Sequence, residues 1–242
     1  MNDDISTLAM IPIGGIDPVF IAIFVITLLV SIAVSSTLKA RFRRHSQVPI
    51  RYTGAQIAEL MLRDSDIKDV KVVHVPGQLT DHYNPATKTV NLSESVYHHN
   101  SVAAAAVAAH ECGHAVQHAK AYRWLTLRSK MVPAVQFSSQ MLNFILIASL
   151  LGAGFLNNPH VLWLYVGLFA VTTVFSFVTL PVEFDASKRA LAWLESSGST
   201  VSMEHEKAKN ALFWAAMTYV SAALGSLAML AYYAFILFGR RD

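Results

Sequence analysis

The chain has 242 residues, of which 54% are hydrophobic and only 14% are charged. These proportions exclude an intrinsically disordered chain, because such chains combine few apolar residues with high charge. A single soluble domain is also disfavoured, and long uninterrupted apolar runs indicate an integral membrane protein instead. The formal net charge is +3, and most of the 19 Lys and Arg residues lie between the apolar runs. We therefore expect a lipid bilayer, and no nucleic acid, as the partner of these charges.

Four apolar segments are long enough to cross a hydrocarbon core of about 30 Å, which takes about 20 helical residues. They are residues 18–38, 132–156, 161–181 and 211–238. Only the tetrapeptide NNPH separates the second from the third, so these two are predicted to form a tight helical hairpin. The fourth is rich in Ala and Gly, which favours close packing of helices in a bilayer.

Basic residues orient these segments. Thirteen Lys and Arg lie within residues 39–130 and four within residues 188–209, whereas residues 1–17 have none. By the positive-inside rule, both basic segments are predicted to face the cytoplasm. Two arginines at 240–241 would then lie outside, against the rule, but they are outnumbered.

The N-terminal segment begins MNDD. A cleaved signal peptide would have a basic region ahead of its apolar run, and this segment has none. It is therefore predicted to be a retained anchor. The predicted order is an external N-terminus (1–17), an anchor (18–38), a cytoplasmic unit (39–131), a two-span hairpin (132–181), a cytoplasmic segment (182–210) and a fourth span (211–238).

The two cytoplasmic parts provide about 120 residues, enough for a small α+β unit. Residues 53–62 have helical apolar spacing, residues 70–75 resemble a short strand, and residues 88–92 alternate like an edge strand. Ser93 is predicted to cap the segment after it. The alanine-rich run from Ser101 is predicted to be a strong helix. The fold class is therefore a mainly α integral membrane protein with about four transmembrane helices.

This helix contains the run His110-Glu111-Cys112-Gly113-His114. Residues four apart lie on one face of a helix, so the imidazoles of His110 and His114 can bind one Zn²⁺. Glu111 is one step round the helix, within reach of a water at that metal. The H-E-x-x-H spacing is typical of metallopeptidases. The alternative is a pair of ordinary surface histidines, which the quality of this helix disfavours.

A catalytic zinc takes three protein ligands and keeps one open position. His118 is eight residues beyond His110, about 12 Å along the helix, and is too far away to share the ion. In the metzincin pattern the third histidine comes six residues after His114, where this chain has Lys120. Glu183 lies where the third apolar segment emerges on the basic side, and it is our predicted third ligand. The alternative is an ordinary carboxylate at a helix start.

Asp185 lies about 200° round the helix from Glu183, so the two acids cannot share the metal face. We expect Asp185 to hold a hydrogen bond behind a ligand or to pair with Arg189.

The remaining cysteine and histidines receive structural interpretations. Cys112 is the only cysteine, so an intrachain disulfide is impossible and a reducing compartment is indicated. We expect it to be a small packed residue rather than a nucleophile or a redox switch. His98 and His99, with His74 and His82, are expected to be solvated loop residues rather than a second metal site.

A family resemblance rests on the same residues. The run HECGHAVQH, followed after the hairpin by Glu183-Phe184-Asp185-Ala186-Ser187, resembles the YugP-like neutral zinc metallopeptidases, a bacterial integral-membrane family. The resemblance includes the first anchor and TDHYNPATKTVNLSES before the helix. More distantly, the chain is similar to HtpX and the CAAX-type membrane proteases, gluzincins whose downstream motif is E-x-x-A-D. Glu183 and Ala186 match that motif, whereas Ser187 stands at its aspartate position.

The resemblance implies a zinc-dependent endopeptidase with a gluzincin-like protease unit and one Zn²⁺ per chain. His110, His114 and Glu183 would be the metal ligands. Glu111 would be the general base, taking a proton from a zinc-activated water and delivering it to the leaving amine. The substrate would be a peptide or a membrane protein. The enzyme would lie in the bacterial cell membrane with its active site facing the cytoplasm.

Substrate binding needs further residues. His74, His82, Tyr83 and Tyr97 are candidate donors to an oxyanion, and the sequence does not choose among them. If residues 88–92 form an edge strand, an extended substrate can pair with it, although an ordinary sheet edge is an equal alternative.

Other functions stay open. A metal transporter or sensor is one, because histidines also line ion paths in membranes, but the four apolar segments contain no charged residue. A non-catalytic scaffold with structural zinc is another, although such a site would not need Glu111. An intramembrane protease of the site-2 type would need an aspartate ligand in a downstream span, and neither 161–181 nor 211–238 contains an acid.

Overall fold

The structure is a computed structural model that describes residues 17–149, 151, 156 and 158–239. The predicted external N-terminus up to residue 16, residues 150, 152–155 and 157 in the predicted hairpin, and residues 240–242 lie outside the described residues. The described residues form seven α-helices and three β-strands. In chain order they are α1 (Pro18–His45), α2 (Gly54–Asp64), β1 (Lys71–Val75), β2 (His82–Asn84), β3 (Thr89–Ser93), α3 (Glu94–Tyr97), α4 (Val102–Ala119), α5 (Arg123–Ala148), α6 (Pro159–Ser196) and α7 (Ser202–Gly239).

Four of these helices, α1, α5, α6 and α7, are long and apolar enough by length and composition to cross a membrane. This number agrees with the four predicted spans. Two of the helices continue well past the apolar segments, α1 to His45 and α6 to Ser196. Because α6 does not end at Pro181, Glu183 lies on the same helix as the third apolar segment.

The described residues separate into two compact units. Residues 17–32, 128–178 and 220–239, with the gaps given above, form an apolar unit. Its buried core consists of large side chains: Leu142, Ile145, Leu156, Leu162, Tyr165, Leu168, Tyr233 and Leu237. Residues 33–127 and 179–219 form a mixed unit, which holds the sheet, the three shorter helices and the predicted metal ligands. This is the small α+β part that the sequence predicts.

The sheet of the mixed unit has the strand order β1-β3-β2. Strand β3 pairs in parallel with β1 and antiparallel with β2. The prediction that residues 88–92 form an edge strand is therefore wrong, because β3 is the central strand. Val90 and Leu92 are fully buried in it. The cause of the error is β2, a three-residue strand within a segment whose Pro, Gly and Asn residues predict only turns.

Helix α4 is the central helix of the mixed unit. Six of its alanines are fully buried: Ala103, Ala104, Ala105, Ala106, Ala108 and Ala109. A helix that is apolar on nearly every side is a buried helix. Val90 and Leu92 of β3 and Ala190 and Leu194 of α6 belong to the same buried cluster. The histidines of the motif therefore lie on a buried helix of the unit and not on a surface helix.

Side-chain caps set the helix starts. Ser101 accepts a hydrogen bond from the Ala104 N–H at 3.2 Å and begins α4, as predicted. Thr53 begins α2 within a complete capping box. Ser93 also precedes a helix, the short α3, but its side chain makes no capping hydrogen bond to it. Ser93 Oγ instead donates to Asp81 Oδ2 at 3.0 Å, so its predicted capping role is wrong.

Loss of the α4 cap should be measurable. Ser101→Ala should lower the free energy of unfolding by about 1 kcal/mol, because the buried Ala104 N–H loses its acceptor. Ser101→Thr keeps the hydroxyl and should retain most of the stability. The midpoint of thermal unfolding in detergent measures both. Equal losses in the two variants would show that Ser101 acts through packing and not as a cap.

Candidate metal centre

Three predicted residues converge in the mixed unit. His110 and His114 of α4 face Glu183 of α6, and the ligand atoms of the three side chains all lie within 4.8 Å of one another. Glu183 Oε2 is 3.3 Å from His110 Nε2 and 3.6 Å from His114 Nε2. The structure thus brings together the complete predicted ligand set.

The Glu183 carboxylate suits a cation. Only 3% of its side chain is exposed. Its Oε2 atom is buried and has no hydrogen-bond partner among the described residues. A buried carboxylate oxygen without a partner is costly, and a cation between it and the imidazole nitrogens would remove that cost. Two imidazoles and one carboxylate are a donor set found at catalytic zinc. The residues present therefore fit a zinc ion.

The local charge also favours a cation. Burial lowers the pKa of His114, but the Glu183 and Glu111 carboxylates outweigh this effect and leave the pKa raised. The same negative charge that favours a proton on the ring would favour a divalent ion between the ring and Glu183.

Gly113 allows α4 and α6 to approach closely here. A Cβ atom built on Gly113 would lie 2.6 Å from the backbone oxygen of Ala186, closer than real Cβ contacts. Ala186 is itself fully buried. Glu183 and Ser187 lie on either side of this contact along α6. The small residues at both positions therefore allow α6 to place its polar side chains against the histidines.

Each histidine also makes a hydrogen bond through Nδ1. His110 Nδ1 is 3.1 Å from Ser187 Oγ, and His114 Nδ1 is 3.0 Å from Gln117 Oε1. Both Nε2 atoms then face Glu183. A histidine ligand is normally supported in this way, by a hydrogen bond through its other ring nitrogen. The contact to His110 is thus made by the hydroxyl of Ser187.

Asp185 stays outside the cluster, as predicted. Its Oδ2 atom accepts hydrogen bonds from Arg189 Nε at 2.6 Å and from Gln117 Nε2 at 2.8 Å. The predicted pair with Arg189 is confirmed, and Asp185 reaches His114 only through Gln117.

Glu111 lies beside the cluster and is 8% exposed. Its Oε2 atom accepts a hydrogen bond from the backbone N–H of Tyr83 at 3.0 Å. Because Tyr83 is the middle residue of β2, this bond fixes the carboxylate against the edge of the sheet. The role of Glu111 as a base stays a prediction.

Four residues were candidate donors to an oxyanion, and Tyr83 has a described side-chain contact to α4. Its hydroxyl lies 2.9 Å from His118 Nδ1, and His118 is not part of the metal cluster, as expected. His82 Nδ1 contacts the Thr80 carbonyl oxygen at 2.8 Å. His74 and Tyr97 pack against each other.

Cys112 is fully buried, and its Sγ donates to the Ala58 carbonyl oxygen at 3.5 Å. Burial, and secondarily the charge of Glu111, raises the pKa of the Cys112 thiol. A neutral buried thiol is neither a nucleophile nor an accessible redox group. The expectation of a packed structural residue is confirmed.

Comparisons with known proteins agree with the geometry. A family model described as "Putative neutral zinc metallopeptidase" matches residues 20–238. The chain is also 37% identical over 225 residues to the "Putative membrane protease YugP" of Bacillus subtilis (strain 168), covering 92% of this chain and 98% of that protein. No solved structure gave a significant match. The fold, the His-His-Glu cluster and these matches place the chain among zinc metallopeptidases. It belongs to the neutral zinc metallopeptidase family matched here, as the sequence resemblance predicted.

The close approach at Gly113 gives a direct test of the centre. Gly113→Ala should weaken zinc binding at least about tenfold, because the added Cβ would force α6 and Glu183 away from the histidines. Competition with a chelator measures the affinity. Cys112→Ala, the neighbouring buried position, is the matched control and should leave the affinity unchanged. Equal losses in both variants would indicate a general disturbance of α4 instead.

Proposed function

We propose that the protein is a membrane-anchored zinc endopeptidase of the gluzincin type. The observation that carries the proposal is the buried Glu183 oxygen, otherwise unpaired, at 3.3 and 3.6 Å from the two histidines of an H-E-x-x-H helix. Membership of the family and the similarity to a protein named as a membrane protease support it.

His110, His114 and Glu183 would hold one Zn²⁺ per chain. Bound there, zinc supplies Lewis-acid chemistry, which polarises a peptide carbonyl and lowers the pKa of a water toward about 7. The chain supplies the positions of the donors, because α4 carries both imidazoles and α6 carries the carboxylate.

Glu111 would be the general base. Its carboxylate takes a proton from the attacking water and gives it to the nitrogen of the leaving amine. The Tyr83 N–H holds Glu111 Oε2 at 3.0 Å and so orients the carboxylate before substrate arrives.

The substrate would be a peptide or a membrane protein bound in an extended form. Strand β3 is enclosed by β1 and β2, so it cannot pair with a substrate. Strand β2 is the sheet edge that reaches Glu111. We expect an extended substrate to lie along β2.

The four long helices would anchor the enzyme in the bacterial cell membrane, with the metal centre facing the cytoplasm. The support is the charge distribution, since the segments that carry the centre are the basic ones. The proposed order keeps the predicted bounds: 1–17 outside, 18–38 anchor, 39–131 protease unit, 132–181 hairpin, 182–210 cytoplasmic segment and 211–238 fourth span.

Other functions are less well supported. A metal transporter or sensor would need ligands along the apolar helices, but the ligand cluster lies in the mixed unit. Among the residues that the structure describes, no second group of three such ligands occurs. A non-catalytic zinc scaffold would leave the oriented Glu111 carboxylate without a role.

The proposed orientation is testable by cysteine labelling of whole cells. In a Cys112→Ala background, Asn158→Cys should react with a membrane-impermeant maleimide, because this exposed residue lies in the hairpin connection, which is proposed to be external. Ser196→Cys, exposed at the end of α6, should react only after the cells are permeabilised. The reverse pattern would place the metal centre outside.

The catalytic assignment is testable with three variants. Glu111→Gln should keep its zinc but cleave casein at least about 100-fold more slowly, because it lacks a base. Glu183→Gln should lose both zinc and cleavage, and His118→Ala should keep both. Zinc content and casein cleavage of detergent-purified protein are the measurements. Full zinc occupancy in every variant, with no cleavage even by the wild type, would exclude the proposed peptidase activity.

A further inference from the structure

A buried glutamine amide joins the two helices that carry the candidate metal ligands. Gln117 follows His114 by three residues on α4 and is fully buried. Its amide contacts the His114 ring, the Val182 carbonyl oxygen and the Asp185 carboxylate. We propose that Gln117 is a positioning residue whose amide fixes which nitrogen of His114 faces the metal. This inference rests on the metal role proposed above for His114 and Glu183.

The partners of Gln117 determine the orientation of its amide. Gln117 Nε2 lies 2.8 Å from Val182 O and 2.8 Å from Asp185 Oδ2. A carbonyl oxygen and a carboxylate oxygen accept hydrogen bonds and do not donate them. The reversed amide would place its oxygen against two acceptors, in a position that water does not reach. The amide oxygen, Oε1, therefore faces His114.

This orientation assigns the proton on the His114 ring. Because Gln117 Oε1 can only accept, His114 Nδ1 must carry a hydrogen and donate it across their 3.0 Å contact. In the neutral imidazole, Nε2 then presents its lone pair. Nε2 is the atom that lies 3.6 Å from Glu183 Oε2. His114 is thus held in the tautomer that a metal ligand needs.

His110 is supported in a different way. Its Nδ1 contacts Ser187 Oγ at 3.1 Å, and a hydroxyl can either donate or accept. Ser187 therefore does not select a tautomer. Of the two histidines, only His114 has its tautomer decided by its partner, so Gln117 should contribute more to metal binding than Ser187.

Asp185 and Arg189 hold the amide from behind. Arg189 Nε donates to Asp185 Oδ2 at 2.6 Å, and the guanidinium lies 5.8 Å from the centre of the Tyr122 ring. The guanidinium neutralises the Asp185 charge and fixes the direction of the oxygen that accepts from Gln117. A chain of four side chains, from Arg189 to His114, therefore runs between α6 and α4.

The test is the zinc affinity of the full-length protein in detergent, measured by competition with a chelator. Gln117→Met keeps the side-chain length but removes the acceptor, and it should weaken zinc binding about 10- to 100-fold. Ser187→Ala removes the hydroxyl behind the other histidine and should weaken it less. The absorption spectrum of the Co²⁺-loaded protein should also change in Gln117→Met, because it reports ligand geometry.

A charge-neutral exchange separates positioning from packing. In Gln117→Glu combined with Asp185→Asn, the new carboxylate accepts from His114 Nδ1 and from the new amide, but the Val182 carbonyl oxygen loses its donor. This double variant should bind zinc less tightly than the wild type but more tightly than Gln117→Met, because it restores an acceptor behind His114. Gln117→Met combined with Asp185→Asn offers no acceptor to His114 and should show no such recovery.

Two results would overturn the inference. One is equal zinc affinity in the wild type and Gln117→Met, which would leave the proposed function intact. The other is an exchange variant that binds zinc no better than Gln117→Met. If Gln117→Met does not fold, Gln117→Leu, which also lacks an acceptor, replaces it in both comparisons. A wild type that binds no zinc would overturn the proposed function and this inference together.

Discussion

At Gly113, the backbones of α4 and α6 lie so close together that a single methyl group would reach within 2.6 Å of the Ala186 oxygen. Packed helices normally keep their axes about 8–10 Å apart, with side chains filling the gap. Here the small residues let short side chains reach across. Glu183 and Ser187, on either side of Ala186, meet the imidazoles of α4 directly, and Gln117 meets the backbone of α6. The candidate metal centre therefore depends on the small residues at one helix contact as much as on His110, His114 and Glu183 themselves.

The charges around this contact are divided between two sets of partners. Asp185 pairs with Arg189, so its charge is balanced within the protein. Glu183 faces only imidazoles within ion-pair distance, and its buried Oε2 has no hydrogen-bond partner in the described part of the chain. Burying an unbalanced carboxylate is expensive, and a fold keeps such a group where a cation or a proton offsets it. This asymmetry between two acids only two residues apart distinguishes Glu183, which faces the two histidines, from Asp185, which pairs with Arg189.

Local spacing was sufficient to predict the α4 part of the centre, because two histidines four residues apart must share a helix face. Glu183 was predictable from the order of apolar and basic segments, because two predicted spans separate it from α4 and so put both on the same predicted side of the membrane. The position of β3 in the sheet was predicted wrongly. Its neighbour β2 lies in a segment whose residues predict only turns, so the pairing of β3 with β2 was not predictable from the sequence. The support from Gln117 and from the Tyr83 N–H was not predicted. The three-residue spacing from His114 was a weak signal for Gln117. The Tyr83 N–H is a backbone donor 28 residues away from Glu111, and no sequence pattern predicts such a contact.

Glu183 follows the third apolar segment of α6 closely. The third apolar segment ends at residue 181, and α6 continues without interruption through Glu183 to Ser196. At 1.5 Å per residue, the carboxylate-bearing residue is only about 3 Å further along the helix axis than the last apolar residue. Glu183 is therefore separated from the third apolar segment by less than one helical turn, so one helix carries both the proposed third span and the proposed third ligand.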